Sequence, residues 1–166
     1  MANTTTGASN TAVGRSALQL NTTASNNTAV GKSALVANTT GSVNTAVGAE
    51  ALLTNTDGAS NVAVGYQSLK LATTASNNVA MGYRAARSNT TGSNNTAIGT
   101  SALYANTTAS SNTAVGYSAG TSTTTGSYNT YIGEKAGANG TTGQYNVFVG
   151  FETGETTTTG SENVGV

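Results

Sequence analysis

Asn10-Thr11-Ala12-Val13-Gly14 is the first full copy of a five-residue word that returns at a spacing of 17 residues along the chain. No insertion or deletion interrupts the period, which is the signature of like units stacked along one axis. We therefore predict a single β-solenoid repeat domain over residues 1–166, as a segment of a longer fibre. The invariant residues of the word, which we predict to be structural corners, are Asn10, Gly14, Asn27, Gly31, Asn44, Gly48, Asn61, Gly65, Asn78, Gly82, Asn95, Gly99, Asn112, Gly116, Asn129, Gly133, Asn146 and Gly150.

The word reads as a short strand that ends in a turn, because its character alternates and its flanks are β-branched. A helix is opposed by the Gly in every repeat and by turn residues every few positions. We predict an all-β parallel solenoid with two or three short strands in each 17-residue coil. Strands about 4.8 Å apart would make nine to ten coils a rod on the order of 45 Å long. The Gly is expected at positive φ. The Asn, which tolerates left-handed backbone, is expected to hydrogen-bond from coil to coil.

Two columns of the repeat identify the interior, because they compensate each other in volume. The third residue of the word is Ala in seven copies and then becomes Tyr131 and Phe148. The column that begins at Leu18 becomes Gly120 and Gly137 in the same part of the chain. Close packing explains this exchange if both columns share one buried space.

The second and fourth residues of the word point away from the third, so they form an outward stripe rich in Val and Ile. Such a stripe needs cover, either from another part of the same coil or from neighbouring chains. Because a thin 17-residue coil has little room for a second apolar core, we predict a homotrimer joined through this stripe. Both ends expose strand edges, so end-to-end association into a self-assembling extracellular filament is an alternative.

A family resemblance is carried by Asn95-Thr96-Ala97-Ile98-Gly99-Thr100-Ser101-Ala102-Leu103-Tyr104-Ala105-Asn106-Thr107-Thr108 and its copies. The unit resembles the repeat of phage tail-fibre proteins and of bacterial proteins with a tail-fibre domain, over essentially the whole chain. Its Val-Ala-Val-Gly core is also similar to the head repeats of trimeric autotransporter adhesins. The resemblance implies a left-handed, trimeric, extracellular or virion-borne structural shaft. Such a shaft would display or form a binding surface for a cell-surface glycan or protein receptor.

Composition argues against an enzyme. The chain has no His and no Cys, and only 7% of its residues are charged. A catalytic base would have to be a carboxylate. The pair Glu134 and Glu152 reads more simply as a solvated acidic patch beside Lys135. We predict no catalytic residue, no cofactor and no metal site.

Nucleic acid and membranes are also poor partners for this chain. Its basic residues are scattered and balanced by acids, with a net charge of zero, so the electrostatic footprint of nucleic-acid binding is missing. No stretch approaches the roughly 20 apolar residues of a membrane span, and no signal peptide is visible.

Aromatic residues gather in the middle and late coils, in two columns that flank the word. Stacked exposed rings are suited to sugar rings, although half-buried Tyr that covers backbone is the simpler explanation. The candidate glycan surface consists of Tyr66, Tyr83, Tyr117, Tyr128, Tyr145 and Phe151.

A threonine column suggests an alternative function. A flat, uncharged array of Thr on a solenoid is typical of ice-binding proteins, whereas Thr-Thr-Gly-Ser is also ordinary loop chemistry. A second Thr column follows the first directly, and both can lie on one surface only at a bend. The candidate ice face consists of Thr22, Thr39, Thr56, Thr73, Thr90, Thr107, Thr124, Thr141 and Thr158.

Overall fold

The computed structural model describes residues 5–166, which wind into one parallel β-solenoid with no helix in that range. Each coil takes 17 residues and contributes one strand, so the predicted all-β parallel solenoid is confirmed. The ten strands pair in chain order within a single sheet. They are β1 (Thr11–Val13), β2 (Thr28–Val30), β3 (Thr45–Val47), β4 (Val62–Val64), β5 (Val79–Met81), β6 (Thr96–Ile98), β7 (Thr113–Val115), β8 (Thr130–Ile132), β9 (Val147–Val149) and β10 (Val164–Gly165).

The prediction of two or three strands per coil is wrong, because the described part of the chain forms one strand per coil. The rest of each coil is turns and bends. In the first full coil Ser16 and Leu18 have φ of 59° and 49°, and left-handed residues at alternate positions prevent an extended run. The turns stack nonetheless, since the Leu18 N–H donates to the Ala34 carbonyl of the next coil at 3.1 Å.

Left-handed backbone is placed on either side of the strand. Gly31, just after β2, has φ of +135°, and a Cβ added there would lie 2.6 Å from the Gly48 carbonyl oxygen. The residue before each invariant Asn is also left-handed, as at Asn26 with φ of 60°. The invariant Asn itself, such as Asn27, has no positive φ. It therefore serves the corner through its side chain, while its predecessor supplies the left-handed backbone.

The invariant asparagines form a buried hydrogen-bonded ladder, as predicted. Asn61 is fully buried. Its backbone N–H and its Nδ2 both donate to Asn44 Oδ1, at 3.0 and 3.1 Å. Its Nδ2 also donates to the Ala75 carbonyl at 2.8 Å, across the interior of its own coil. Its Oδ1 accepts the Asn78 N–H at 3.0 Å. One side chain thus joins three consecutive coils.

The core lies between the Ala column of the strands and the Leu column of the turns. Both columns are buried, and they share one space as the volume exchange predicted. A Cβ added at Gly120 would lie 2.5 Å from Tyr131 Cδ2, and one at Gly154 would meet the Phe148 ring. The rings of Tyr131 and Phe148 stack with centroids 6.0 Å apart. Because these glycines have no side chain, they leave the space that the two rings fill.

Replacing Gly133 with Ala should destabilise the rod by about 3 kcal/mol, because φ there is +130° and the new Cβ would press on the Gly150 carbonyl. The measurement is the free energy of unfolding from urea titration. The matched control is Gly140→Ala in the same coil, where no positive φ is required and an added Cβ would lie no closer than 3.2 Å to its nearest neighbour. Ala72 already occupies the equivalent position of an earlier coil. Equal losses in the two variants would contradict the backbone argument.

Replacing Asn61 with Ala should lower the free energy of unfolding by about 3 kcal/mol, because the Asn78 N–H and the Ala75 carbonyl lose buried partners. Urea denaturation of the two proteins measures the difference. Asn139→Ala, at an exposed position without positive φ, is the control and should change stability by less than about 0.5 kcal/mol. A loss at Asn61 no larger than at Asn139 would show that the ladder does not stabilise the coil.

Candidate functional site

Within the outward stripe of second and fourth residues, the fourth residue of the word is exposed in β1, β3, β5, β6 and β8 and half-buried in β2, β4, β7 and β9. Val13 is 57% exposed, Ile98 38% and Ile132 41%, whereas the residues before them in β6 and β8 are buried. Met81 replaces the aliphatic residue in β5 and is 40% exposed. Within residues 5–166, other parts of the same coil do not fully cover these side chains, so the first of the two kinds of cover considered for the stripe is incomplete.

The threonines of the predicted ice face hold the coils together. The Thr22 hydroxyl donates to the Thr39 carbonyl at 3.1 Å, and the same bond recurs in successive coils up to Thr141, which donates to the Thr158 carbonyl at 3.1 Å. The column is half-buried over most of its length. Thr23, in the second Thr column, is exposed at the same bend, so both columns reach one corner of the coil.

Asp57 interrupts the second Thr column and gathers three hydroxyls around its carboxylate. Thr40 Oγ1 donates at 2.6 Å and Thr56 Oγ1 at 2.9 Å, while Thr39 Oγ1 lies at 3.4 Å. These bonds, led by that from Thr40, lower the pKa of Asp57 below its ordinary value of 3.8. The group is a hydroxyl-capped surface carboxylate.

The predicted aromatic surface splits into two stacked pairs and two separate rings. Tyr66 and Tyr83 stack with centroids 5.6 Å apart, and Tyr128 and Tyr145 stack at 5.1 Å with ring planes 3° apart. The remaining two, Tyr117 and Phe151, are exposed and form no ring pair within the described residues.

A polar network surrounds the first of these pairs. Gln67 is only 6% exposed, and its Nε2 donates to Glu50 Oε2 at 2.9 Å and to Tyr66 Oη at 3.0 Å. Its Oε1 accepts from the Nε of Arg84 and of Arg87, both at 3.2 Å. All four hydrogen-bonding positions of this amide are therefore filled.

One ion pair completes the network. Lys70 Nζ lies 2.8 Å from Glu50 Oε2. Its hydrogen bond, followed by that from Gln67, lowers the pKa of the Glu50 carboxyl. The Glu50 negative charge is thus matched by Lys70 rather than by an arginine.

Sequence reasoning missed this cluster, because it treated the basic residues as scattered along the chain. The signal was their phase. Glu50, Gln67 and Arg84 occupy one position of three consecutive coils, and Lys70 and Arg87 occupy another. A solenoid places such residues side by side although they are 17 residues apart in sequence.

The acidic residues near the other end form an ordinary ion pair. Lys135 Nζ lies 2.8 Å from Glu152 Oε1, and both side chains are more than a third exposed. The hydrogen bond that Lys135 donates to Glu152 raises the pKa of Lys135, and the negative charges of Glu152, Glu155 and Glu134 raise it further. The carboxylate of Glu152 therefore faces a cation rather than a second carboxylate, as expected for a solvated patch.

Comparisons of the chain with protein-family models, with curated proteins and with solved structures found no match. The class of protein is defined by its geometry, as a parallel β-solenoid built of 17-residue coils. Residues 5–166 include no helix that is long and apolar enough to span a membrane. The same residues bring no three His, Cys, Asp or Glu side chains together as a metal site.

Asp57 should titrate below pH 3.8, and Thr40→Val should raise its pKa, because the strongest hydrogen bond to the carboxylate is lost. A carboxyl whose pKa is lower in the folded state stabilises the fold above its unfolded pKa. That contribution is lost as the pH falls below about 3.8 through the folded pKa. Carboxyl ¹³C NMR measures the titration. Thr142→Val, in the same column with no carboxylate beside it, should leave the Asp57 pKa unchanged. An Asp57 pKa at or above 3.8 would contradict the role of the hydroxyls.

Proposed function

We propose that this chain is a segment of the rigid shaft of a trimeric structural or adhesive fibre, of the phage tail-fibre or bacterial surface-adhesin kind. Three chains associate through the outward stripe formed by the fourth residues of the word. The fibre acts outside the cell or on a virion, and the coil is left-handed as in the adhesin heads that the repeat resembles.

The observation that carries this proposal is the uncovered stripe. Val13, Met81, Ile98 and Ile132 keep 38–57% of their surface exposed along one side of the rod. Burial of apolar surface stabilises association by roughly 25 cal/mol per Å². Because the stripe recurs at every coil, this contribution accumulates with the number of coils. A long rod gains most from a partner that follows it along its length.

The uniformity of the rod also supports a mechanical role. Every strand pairs with its neighbours in one unbroken register from β1 to β10. In such repeat architectures stability is a sum of coil and nearest-neighbour terms, so length can be extended without a new core. A shaft needs this property, whereas a catalytic domain needs a concave site.

Ice binding is the weaker alternative for the Thr column. Ice recognition would use hydroxyls that are free to meet water, whereas those from Thr22 to Thr141 donate to carbonyls of the next coil. A filament formed end to end through strand edges stays a prediction, and it is compatible with a shaft.

The proposal predicts a mass of about 49 kDa in solution, three times the 16.3 kDa of the chain. Sedimentation equilibrium at 10–100 μM, on the order of concentrations where weak oligomers still form, measures this mass. The double variant Ile98→Ser, Ile132→Ser should shift the protein towards monomer, because two exposed members of the stripe are lost.

The matched control removes exposed apolar residues away from the stripe. Leu20 is 44% exposed and Phe151 68%, and the double variant Leu20→Ser, Phe151→Ser should keep the trimer mass. A wild-type protein that is a clean monomer across the whole range would refute the trimeric shaft. So would equal dissociation of the two double variants.

A further inference from the structure

Two arginines converge on one buried acceptor in the middle of the rod. Arg84 and Arg87 each place Nε 3.2 Å from Gln67 Oε1. The amide cannot turn away, because its Nε2 is held by Glu50 Oε2 and by Tyr66 Oη. The Gln67 side chain thus holds two guanidinium groups in position.

The two guanidinium groups have no anionic partner of their own. Among residues 5–166 neither Arg84 nor Arg87 has a carboxylate oxygen within 4.0 Å, because Glu50 is paired with Lys70. Each arginine uses only Nε in the network, so its two terminal nitrogens keep four N–H donors. Like charges held close together repel, and an anion placed between them would remove the repulsion. The two oxygens of a carboxylate match the paired N–H donors of a guanidinium group.

An aromatic platform lies beside these donors. Tyr66 and Tyr83 are 42% and 45% exposed, and their rings stack at 19°. The Arg84 guanidinium carbon lies 4.9 Å from the Tyr83 ring centroid, and that of Arg87 lies 5.8 Å from the Tyr104 ring. Rings of this kind offer flat apolar area with little loss of side-chain entropy to a ligand that also has apolar faces.

The shape of the surface selects an extended ligand. Residues 5–166 form no pocket, so a small molecule would not be enclosed. A polymer that lies along the rod could use several shallow contacts at once, since the coils repeat their spacing. Sugar chains combine apolar ring faces with hydroxyls, and acidic ones add a carboxylate at regular intervals.

We propose that this part of the rod binds an acidic polysaccharide whose sugars bear carboxylates. The solvent-exposed edges of the stacked Tyr66 and Tyr83 rings pack against sugar rings, and the terminal nitrogens of Arg84 and Arg87 hold a carboxylate between them. Gln67 is a positioning residue that orients both arginines. This function goes beyond the proposed shaft, and the trimeric shaft does not depend on it.

Isothermal titration with tetragalacturonate tests the proposal, and its fully methyl-esterified form is the uncharged control on the same sugar backbone. We expect the acid to bind at least about tenfold more tightly than the ester, and more weakly as salt rises from 20 to 200 mM, because the contact is charge-assisted and partly screened. A sulfated oligosaccharide of equal length is the third ligand. Equal binding of acid and ester, or a clear preference for the sulfated chain, would overturn the carboxylate assignment.

Variants assign the binding to this cluster. Arg87→Gln keeps a polar side chain without the charge and should weaken tetragalacturonate binding about tenfold. Tyr83→Ser should weaken both the acid and the ester. Tyr145→Ser is the matched control, because it removes one ring of the other stacked pair, which has no arginine over it. Circular dichroism verifies folding of each variant.

No binding by wild-type protein at 5 mM tetragalacturonate, on the order of the weakest useful affinities, would refute the site. Loss of binding in Tyr145→Ser as large as in Arg87→Gln would also refute it. The sedimentation mass of Arg87→Gln separates the two proposals. An unchanged mass with lost sugar binding leaves the shaft intact, whereas a monomeric wild-type protein that still binds the sugar supports this site alone.

Discussion

The Asn-to-Asn hydrogen bond between coils is the constraint on which the rest of the structure depends. Asn27 donates its backbone N–H to Asn10 Oδ1, and its own Nδ2 reaches the Gly41 carbonyl across the coil. The same side chain therefore fixes the register between coils and braces each coil across its interior. A three-residue strand is too short to hold its register through ladder bonds alone. An insertion would place a different residue at the buried position, which explains why the period of 17 is never broken.

A second asparagine ladder shows how much the first one matters. Asn38 donates to Asn21 Oδ1 and Asn55 to Asn38 Oδ1. This column is interrupted twice, because Asn55 is followed by Ala72 in the next coil and Asn106 is followed by Thr123. The Oδ1 atoms of Asn55 and Asn106 are consequently buried without a partner. Each such atom costs about 1–3 kcal/mol in desolvation. The fold tolerates this in a column that also has the Thr hydroxyl bonds beside it, whereas the first ladder continues through every coil that the structure describes.

The period was predictable from the sequence because Asn and Gly recur every 17 residues, and the interior was predictable because it rests on side-chain volume. Tyr131 and Phe148 appear where Leu gives way to Gly, and the two columns do share one space. The number of strands was not predictable in this way. Leu18 and Ser16 adopt left-handed backbone although neither is Gly or Asn, because the tight winding of the coil imposes it. The Gln67 network was missed for another reason, since its members are distant in sequence and only their phase reveals that they meet.

Regular and irregular columns on this rod serve different purposes. The outward stripe repeats with little variation from β1 to β9, which suits a contact that runs the length of a partner chain. The arginine–tyrosine cluster occurs in only a few consecutive coils, so an extended ligand would meet its charged contacts over one part of the rod. The two surfaces also occupy different parts of the coil, because Tyr66 and Gln67 follow Gly65 into the turn whereas the stripe belongs to the strand. The two proposals therefore assign different residues of one chain to association and to ligand binding.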